Sequence, residues 1–239
     1  MRVIDREQAK IVAGFGSTTR VNARLLALTR AGLLRRFFLG ATAAGRKALY
    51  SLSTKGAAIV SVQVRGPRRR KDELLVADFF VSHQLAINKM YCALKYGDAS
   101  IPGVAFGRWT TFYDPLTPQL RLIPDGYVEM NTTSGPVAAF LEVDLGHERL
   151  VVWKEKIRNY LQFAISGDPE HRFGQGQFRV LIIANSERRL RSIRKTVRGS
   201  TTKVFWFTTI ETIDSLGFFG HVWLRPTDDD PKPFLTEAA

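Results

Sequence analysis

The chain has 239 residues, of which 45% are hydrophobic and 24% are charged, the proportions of a globular protein that can bury a sizeable core. No apolar run is long enough to span a membrane, and the first ten residues lack the apolar centre of a secretory signal, so we expect a cytoplasmic protein without membrane contacts. The single cysteine, Cys92, excludes an intramolecular disulfide and a cysteine-based zinc site.

The net charge of +13 is concentrated in the first third of the chain. Residues 1–71 contain 16 Lys and Arg against two acids, whereas residues 72–239 contain 19 basic and 20 acidic residues. This asymmetry indicates a surface for a polyanion, and double-stranded DNA is the partner that it favours. A solvated basic surface without a partner is the alternative that charge alone leaves open.

The N-terminal region has the pattern of two helices followed by a hairpin. Asp5 is placed to cap a helix that ends near Ala13, and an apolar stripe predicts a second helix over 18–31. Segments 33–39 and 46–52 then predict two short strands around a turn, as in a β-wing. We therefore predict a winged helix-turn-helix domain over 1–66, whose first helix is missing or comes from a partner subunit.

Basic side chains on the second helix and the wing are candidates for DNA contact. Arg20 and Arg24 lie one turn apart on the polar helix face, where they can reach phosphates or guanine edges in the major groove. The other candidates in this region are Arg30, Arg35, Arg46 and Lys47. An ordinary solvated surface is the alternative for all of them.

The segment RGPRRRKDE (65–73) has the Gly, Pro and basic residues of a linker, so a domain boundary is placed near residue 66. The elements predicted after it are a long helix (72–96), strands (106–114, 119–130 and 137–145), a helix (148–164), a buried strand (178–185), a basic helix (186–197) and a last strand (203–210). The fold class is therefore α/β (α+β), with a second domain over 67–228 built on a mixed β-sheet flanked by helices. The acidic tail, 229–239, is expected to fray.

Three carboxylates fall at the ends of consecutive predicted strands. Glu142 and Asp144 share the row FLEVDL, in which residues two apart project from the same face, and Asp125 joins them if the strands pair as a hairpin. Such a cluster repels itself unless a cation binds, and Mg²⁺ (or Mn²⁺) suits it because that ion takes few carboxylates and a substrate phosphate. The sequence thus predicts a metal site at these three residues, with ordinary structural charge as the alternative.

Positive partners for this cluster follow on the next predicted helix. Lys154 and Lys156 are both candidates for stabilising charge on a phosphate or holding an attacking water. Lys156 shares a helix face with Tyr160, which is expected to be structural rather than nucleophilic. The basic helix adds three candidates for holding the DNA backbone beside the cleft, namely Arg188, Arg191 and Arg194.

A Pro-Asp pair, a spacer and a Glu-x-Asp row resemble the PD-(D/E)xK signature of restriction-endonuclease-like nucleases. Asp144 stands where that signature has lysine, and the departure is similar to the variant whose lysine lies on the following helix, where Lys156 fits best. The rows that, after a winged helix, resemble the replication-relaxation family are His83-x-Leu85-x-x-Asn88, FLEVDLGHE and Lys156-x-x-x-Tyr160. That family includes the MobC-class plasmid mobilisation relaxases.

This resemblance implies a restriction-endonuclease-like core and a metal-dependent DNA endonuclease. The catalytic residues that it implies are Asp125, Glu142, Asp144 and Lys156. Such a protein binds a plasmid or mobile-element origin and nicks one strand for mobilisation or replication; accessory mobilisation proteins and a second copy of the chain are candidate partners. The alternative is a non-catalytic DNA-binding replication or transcription factor on a degenerate nuclease fold.

Two other classes of enzyme are excluded by the residue pattern. The four histidines are scattered, so the His-hydrophobic-His metal row of the commonest relaxases is missing. The glycine-containing row FGQGQF (173–178) lacks the lysine and the spacing of a P-loop, so nucleotide hydrolysis is not expected.

Overall fold

The structure, a computed structural model, describes residues 1–42, 45–63 and 74–235. Over these ranges the chain is a mixed α/β protein with eight helices, a three-stranded antiparallel sheet and a five-stranded mixed sheet, which confirms the predicted fold class. It divides into two compact units, Met1–Cys92 and Ala93–Ala239. The boundary predicted near residue 66 lies outside the described residues. Within the described ranges, none of the helices combines the length and the hydropathy that a membrane crossing requires.

The N-terminal unit contains β1 (Ile4–Asp5), α1 (Arg6–Val12), α2 (Thr18–Arg30), β2 (Leu34–Thr42), β3 (Gly45–Leu52), α3 (Thr54–Ile59) and most of α4 (Leu74–Tyr96). Side-chain caps start the first two helices, since Asp5 accepts a hydrogen bond from the Gln8 amide (2.8 Å) and Ser17 from the Arg20 amide (3.2 Å). The strands pair in the order β1-β3-β2, all antiparallel. The two predicted helices and the hairpin are confirmed, while β1 and α3 are too short for the sequence pattern to reveal.

The long helix α4 packs onto the N-terminal unit. Its residues Val81 and Leu85 form a buried cluster with Val3 and with apolar residues of the sheet. Asn88, which is 2% exposed, donates from Nδ2 to the Val3 carbonyl (2.6 Å) and to Oε1 of Gln8 (3.2 Å). The chain's own α4 therefore supplies a packing helix for this unit, whereas the sequence pattern points to a missing helix or to a partner subunit.

The C-terminal unit contains β4 (Ala105–Thr110), β5 (Gly126–Thr132), β6 (Gly135–Asp144), α5 (Leu150–Ile165), α6 (Asp168–Phe173), β7 (Arg179–Ala184), α7 (Glu187–Arg198), β8 (Phe205–Thr209) and α8 (Ile210–Leu216). The strands lie in sequence order, with β4, β5 and β6 antiparallel and β7 and β8 parallel to β6. The helices α5 and α7 make the crossovers that parallel strands need. Their apolar faces pack on the sheet in the largest buried cluster, through Trp153, Tyr160, Phe163, Leu190, Ile193 and Val197.

The strand predicted over 119–130 is the main difference between the expected and the observed elements. Only Gly126–Thr132 forms β5, and the residues before it make a buried loop in which the Leu116 amide donates to the Leu122 carbonyl (2.8 Å). Leu120 and Leu122 are buried in that loop. Apolar residues that pack a loop have the composition of strand residues, so periodicity alone does not separate the two.

The C-terminal segment also differs from the expectation of a fraying tail. Phe234 is fully buried, and its ring lies 5.9 Å from that of Phe218 and 6.3 Å from that of Trp223. Backbone hydrogen bonds join Lys232 to Trp223 in both directions. One buried aromatic side chain thus anchors a segment whose acidic, proline-containing composition is that of a loose end; the last four residues lie outside the described part.

Candidate active site

Asp125 and Glu142 lie together where β5 begins and β6 ends, in the middle of the mixed sheet. Pairing of Gly126 with Leu141 brings the start of β5 level with the end of β6. The Asp125 amide donates to the Leu141 carbonyl (3.0 Å), and its Oδ2 accepts from the Val143 amide (2.7 Å). These two bonds attach Asp125 to the strand on either side of Glu142, which is 1% exposed. The structure therefore joins the two carboxylates through the hairpin pairing that the sequence predicts.

Both carboxylate oxygens of Glu142 accept a hydrogen bond from a side chain of α5. Nζ of Lys156 donates to Oε2 (2.8 Å), and the hydroxyl of Tyr160 donates to Oε1 (2.6 Å). The two donors are one turn apart on the helix face that packs against the sheet. Lys154 is exposed, so Lys156 is the lysine of the pair that reaches the carboxylates.

Burial and mutual repulsion determine the electrostatics of this group. Burial raises the pKa of Glu142; the Lys156 ammonium opposes the rise and the charge of Asp125 adds to it. Burial alone would lower the pKa of Lys156, but the carboxylates around it hold that pKa above its ordinary value, so the side chain stays cationic. Burial and the neighbouring Glu142 raise the pKa of Tyr160 well above its usual range. Tyr160 therefore keeps its proton, as a hydrogen-bond donor to Glu142 must.

Glu148 is a member of the site that the sequence analysis did not single out. Its Oε1 accepts from Nζ of Lys156 (2.8 Å). Its Oε2 is buried and meets no hydrogen-bond donor in the described part of the chain. The row FLEVDLGHE contains this residue, but only the path of the loop after β6 shows that it turns back to the helix lysine.

Asp144 projects from the same strand but is bound to other groups. Arg189 of α7 donates from Nε to Oδ1 (2.8 Å) and from Nη2 to Oδ2 (2.7 Å). Trp153 Nε1 donates to Oδ2 (2.7 Å), and the Gly146 amide donates to Oδ1 (2.6 Å). Burial would raise the pKa of Asp144, but these donors outweigh it and hold the pKa below its ordinary value. Asp144 thus anchors α7 to the end of β6 in this structure, and the metal and catalytic roles predicted for it stay predictions.

The remaining carboxylates fit a divalent ion only as a pair. Across residues 1–42, 45–63 and 74–235, no group of three or more His, Cys, Asp and Glu side chains is arranged to hold a metal ion. Mg²⁺ is commonly bound by one or two carboxylates, waters and a substrate phosphate, and Asp125 and Glu142 are the pair that would supply the protein ligands. The repulsion between them and the unpartnered oxygen of Glu148 are features that a bound cation would relieve.

The basic helix α7 begins beside this site, because Arg189 binds Asp144. Arg188 and Arg191 are exposed and stay candidates for DNA contact. Arg194 is different, because its guanidinium donates to three groups of the C-terminal segment: the carbonyls of Arg225 (2.7 Å) and Asp228 (2.8 Å) and the carboxylate of Asp229 (2.6 Å). Arg194 therefore has structural contacts within the C-terminal unit, and its predicted DNA contact stays a prediction.

The N-terminal candidates for DNA contact divide in the same way. The exposed ones are Arg20, Arg24, Arg30 and Arg35. Lys47 is half exposed, and its ammonium is paired with the buried Oδ2 of Asp5 (2.5 Å), so part of its role is structural. The side chain of Arg46 lies outside the described set. Exposed arginines therefore remain on α2 and at the start of the hairpin.

The fold and the site define a mixed α/β protein with a basic N-terminal unit and a buried acid–lysine–tyrosine cluster in its second unit. The family model described as Replication-relaxation matches residues 2–177, most of the chain, and the chain belongs to that family. The matched range contains Asp125, Glu142, Lys156 and Tyr160 and ends before β7. No curated protein and no solved structure matches the sequence. Membership indicates a role in replication or mobilisation and an interaction with DNA.

Proposed function

We propose that the chain is a metal-dependent DNA endonuclease that binds a plasmid or mobile-element origin and nicks one strand. The observation that carries the proposal is the buried Glu142, held by Lys156 and Tyr160 of α5 and placed beside Asp125. A buried acid next to a second acid and a lysine costs stability, and an arrangement of this kind is typical of a functional site.

Each residue of the site has a separate role in this proposal. Asp125 and Glu142 hold Mg²⁺ or Mn²⁺, which when bound polarises the scissile phosphate and lowers the pKa of a bound water. Lys156 stays cationic and stabilises charge that develops on the phosphate. Tyr160 fixes the orientation of Glu142 through its hydroxyl. Glu148 keeps the lysine in place from the other side.

The order of elements supports a nuclease core. Apart from the short α6, the series from α4 to β7 is a helix, three antiparallel strands, a helix and a strand parallel to the third. That is the order implied by the resemblance to restriction-endonuclease-like nucleases. The lysine on α5 that reaches Glu142 agrees with the variant signature in which the lysine lies on the following helix.

The elements of the N-terminal unit support the prediction that it is a winged helix-turn-helix domain that binds DNA. Two capped helices lead into a hairpin, and the short β1 joins that hairpin as a third strand. In a helix-turn-helix the second helix enters the major groove. The exposed Arg20 and Arg24 lie on the second of the two helices, where such contacts are made.

A non-catalytic DNA-binding factor is the second candidate function, and two observations favour it. Asp144 is saturated by Arg189 and Trp153, and both oxygens of Glu142 are hydrogen-bonded within the protein. In this alternative, Lys156 replaces a metal ion as the cation of the cluster and the fold serves as a scaffold.

Conversion of a supercoiled plasmid to the open circle tests the proposed activity. The plasmid carries the DNA that flanks the coding sequence of the chain, and the reactions contain Mg²⁺, Mn²⁺ or EDTA. We expect open circles with either ion and none with EDTA. DNA binding without open circles in any reaction would instead establish the scaffold alternative.

We expect Lys156→Gln to slow nicking by about 10²–10³-fold, the effect of removing one group that stabilises transition-state charge. Lys154→Gln is the matched control, because Lys154 is exposed on the same helix and its loss removes the same charge. The measurement is the single-turnover nicking rate of the three proteins at saturating Mn²⁺. Equal loss in both variants would show that Lys156 acts only through net charge.

We expect Arg20→Ala together with Arg24→Ala to weaken DNA binding and to reduce the slope of log affinity against log salt by about 2, because each phosphate contact releases a counterion. The matched control is Lys154→Ala with Arg158→Ala, also exposed and one turn apart on a helix. Fluorescence anisotropy over a salt series measures both slopes. An unchanged slope in the first variant would place the phosphate contacts elsewhere.

A further inference from the structure

A cluster of positive charge lies at the end of the parallel strands that is opposite to the acid–lysine–tyrosine site. Arg179 begins β7, and Ala184, which pairs with Asp144, ends it. Five residues of strand separate these two positions by roughly 16 Å. Lys203 and Arg225 lie with Arg179 around one cleft, so this cluster is distinct from the acid–lysine–tyrosine site.

The cleft has a volume of about 460 Å³. Besides the three cations, its lining includes Gln177, Phe178 and Trp206, and no Asp or Glu lines it within the described residues. Three basic side chains in one concave surface without an acid leave a local positive potential, which favours an anionic ligand.

Two of the cations are stacked on the same aromatic side chain. The guanidinium carbons of Arg179 and Arg225 lie 4.7 Å and 4.6 Å from the ring centroid of Trp206, which is buried. Arg179 also donates to the carbonyl of Phe234. Cation–π contacts offset part of the cost of placing two like charges close together, but they do not neutralise either charge.

The pKa shifts of Arg179 and Arg225 agree with a cleft whose positive charges are not fully balanced by carboxylates. Burial lowers the pKa of Arg179, and the charge of Arg225 lowers it further. Burial also lowers the pKa of Arg225, against which Asp228 acts. Among the described residues, no carboxylate forms an ion pair with either guanidinium, and both side chains are partly exposed.

Arg225 carries a hydrogen-bond donor that no described residue satisfies. Its Nε is buried and finds no acceptor among the residues that the structure describes. Its Nη2 donates to the Thr202 carbonyl at 3.5 Å, the limit of a hydrogen bond. An unmade hydrogen bond of a buried charged group is costly, and an oxygen of a ligand in the cleft would supply the missing acceptor.

We propose that this cleft binds a phosphate group, with Arg225, Arg179 and Lys203 as its cationic partners. Arginine forks match phosphate oxygens, and lysine adds a point charge at the exposed side of the cleft. The volume accommodates a phosphate with an attached sugar. The source is either the terminal phosphate of a nucleotide or strand, or an internal phosphodiester of a nucleic acid. The proposal does not depend on nicking activity.

Calorimetric titration of the full chain with inorganic phosphate tests the proposal, at constant ionic strength and without divalent ions. We expect Arg225→Gln and Lys203→Gln each to weaken phosphate binding by about tenfold, the loss of one charge-assisted contact. Arg149→Gln, which removes an exposed charge at the other end of the sheet, is the matched control and should bind as the wild type does.

Two single-stranded oligonucleotides of one sequence, with and without a 5′-phosphate, distinguish the sources. If Lys203→Gln loses affinity for the phosphorylated oligonucleotide alone, the ligand is a terminal phosphate. If it loses affinity equally for both oligonucleotides, the ligand is an internal phosphodiester. Lys203 is exposed, so its replacement keeps the test valid if Arg225→Gln does not fold. The proposal is overturned if phosphate and both strands bind Lys203→Gln as tightly as the wild type, or if none of them binds the wild type.

Discussion

Replacing Glu142 by Gln should reduce nicking by about 10³-fold or more while DNA affinity stays at the wild-type value. A neutral amide is a poor ligand for Mg²⁺, so the variant loses half of the proposed donor pair. Gln has the size of Glu, and its one carbonyl oxygen still accepts from Lys156 or Tyr160, so the fold should be retained. DNA affinity should not change because the variant keeps all of the exposed arginines that are candidates for DNA contact.

Glu155→Gln is the control for this experiment, because Glu155 is an exposed acid on the same helix as Lys156. Asp125→Asn should reproduce the loss of nicking, since it removes the other proposed ligand. Glu142→Gln should not be less stable to urea than the wild type without metal, because burial and the charge of Asp125 disfavour the ionised carboxylate by more than the Lys156 ammonium favours it. Wild-type nicking rates in Glu142→Gln with Mg²⁺ present would refute the catalytic proposal.

The part of the site that could be predicted is the part set by local periodicity. Alternation in FLEVDL places Glu142 and Asp144 on one strand face, and helical spacing places Lys156 and Tyr160 on one helix face. The hairpin brings in Asp125. The sequence does not decide between Lys154 and Lys156, because the choice depends on which face of α5 packs on the sheet. The packed cluster around Trp153 and Phe163 shows that face.

The parts that escaped prediction depend on contacts between distant residues. The spacing of two residues along a strand predicts that Asp144 and Glu142 point to the same face. It does not predict that Arg189, 45 residues after Asp144, binds that carboxylate. The packing of α4 on Val3 and Leu49 and the burial of Phe234 are of the same kind. Each joins segments far apart in sequence, and a local pattern carries no information about such a partner.

Asp144→Ala should lower the free energy of unfolding by about 3–5 kcal/mol, the cost of breaking a buried ion pair by removing one partner. The Arg189 guanidinium, 15% exposed, would lose both carboxylate oxygens, and the Trp153 indole would lose its acceptor. Asp114→Ala is the matched control, because Asp114 is exposed and its replacement should change stability by less than about 0.5 kcal/mol. Urea unfolding measures both values.

A double-mutant cycle with Arg189→Met separates this anchoring role from a ligand role. If Asp144 and Arg189 act as a pair, the double variant should be more stable than the sum of the single losses predicts, because no buried charge is left without a partner. Mn²⁺ affinity should then be the same in Asp144→Ala as in the wild type, since Asp125 and Glu142 are the proposed ligands. Additive losses together with a weaker Mn²⁺ affinity would show instead that Asp144 exchanges Arg189 for the metal, and would restore it to the ligand set.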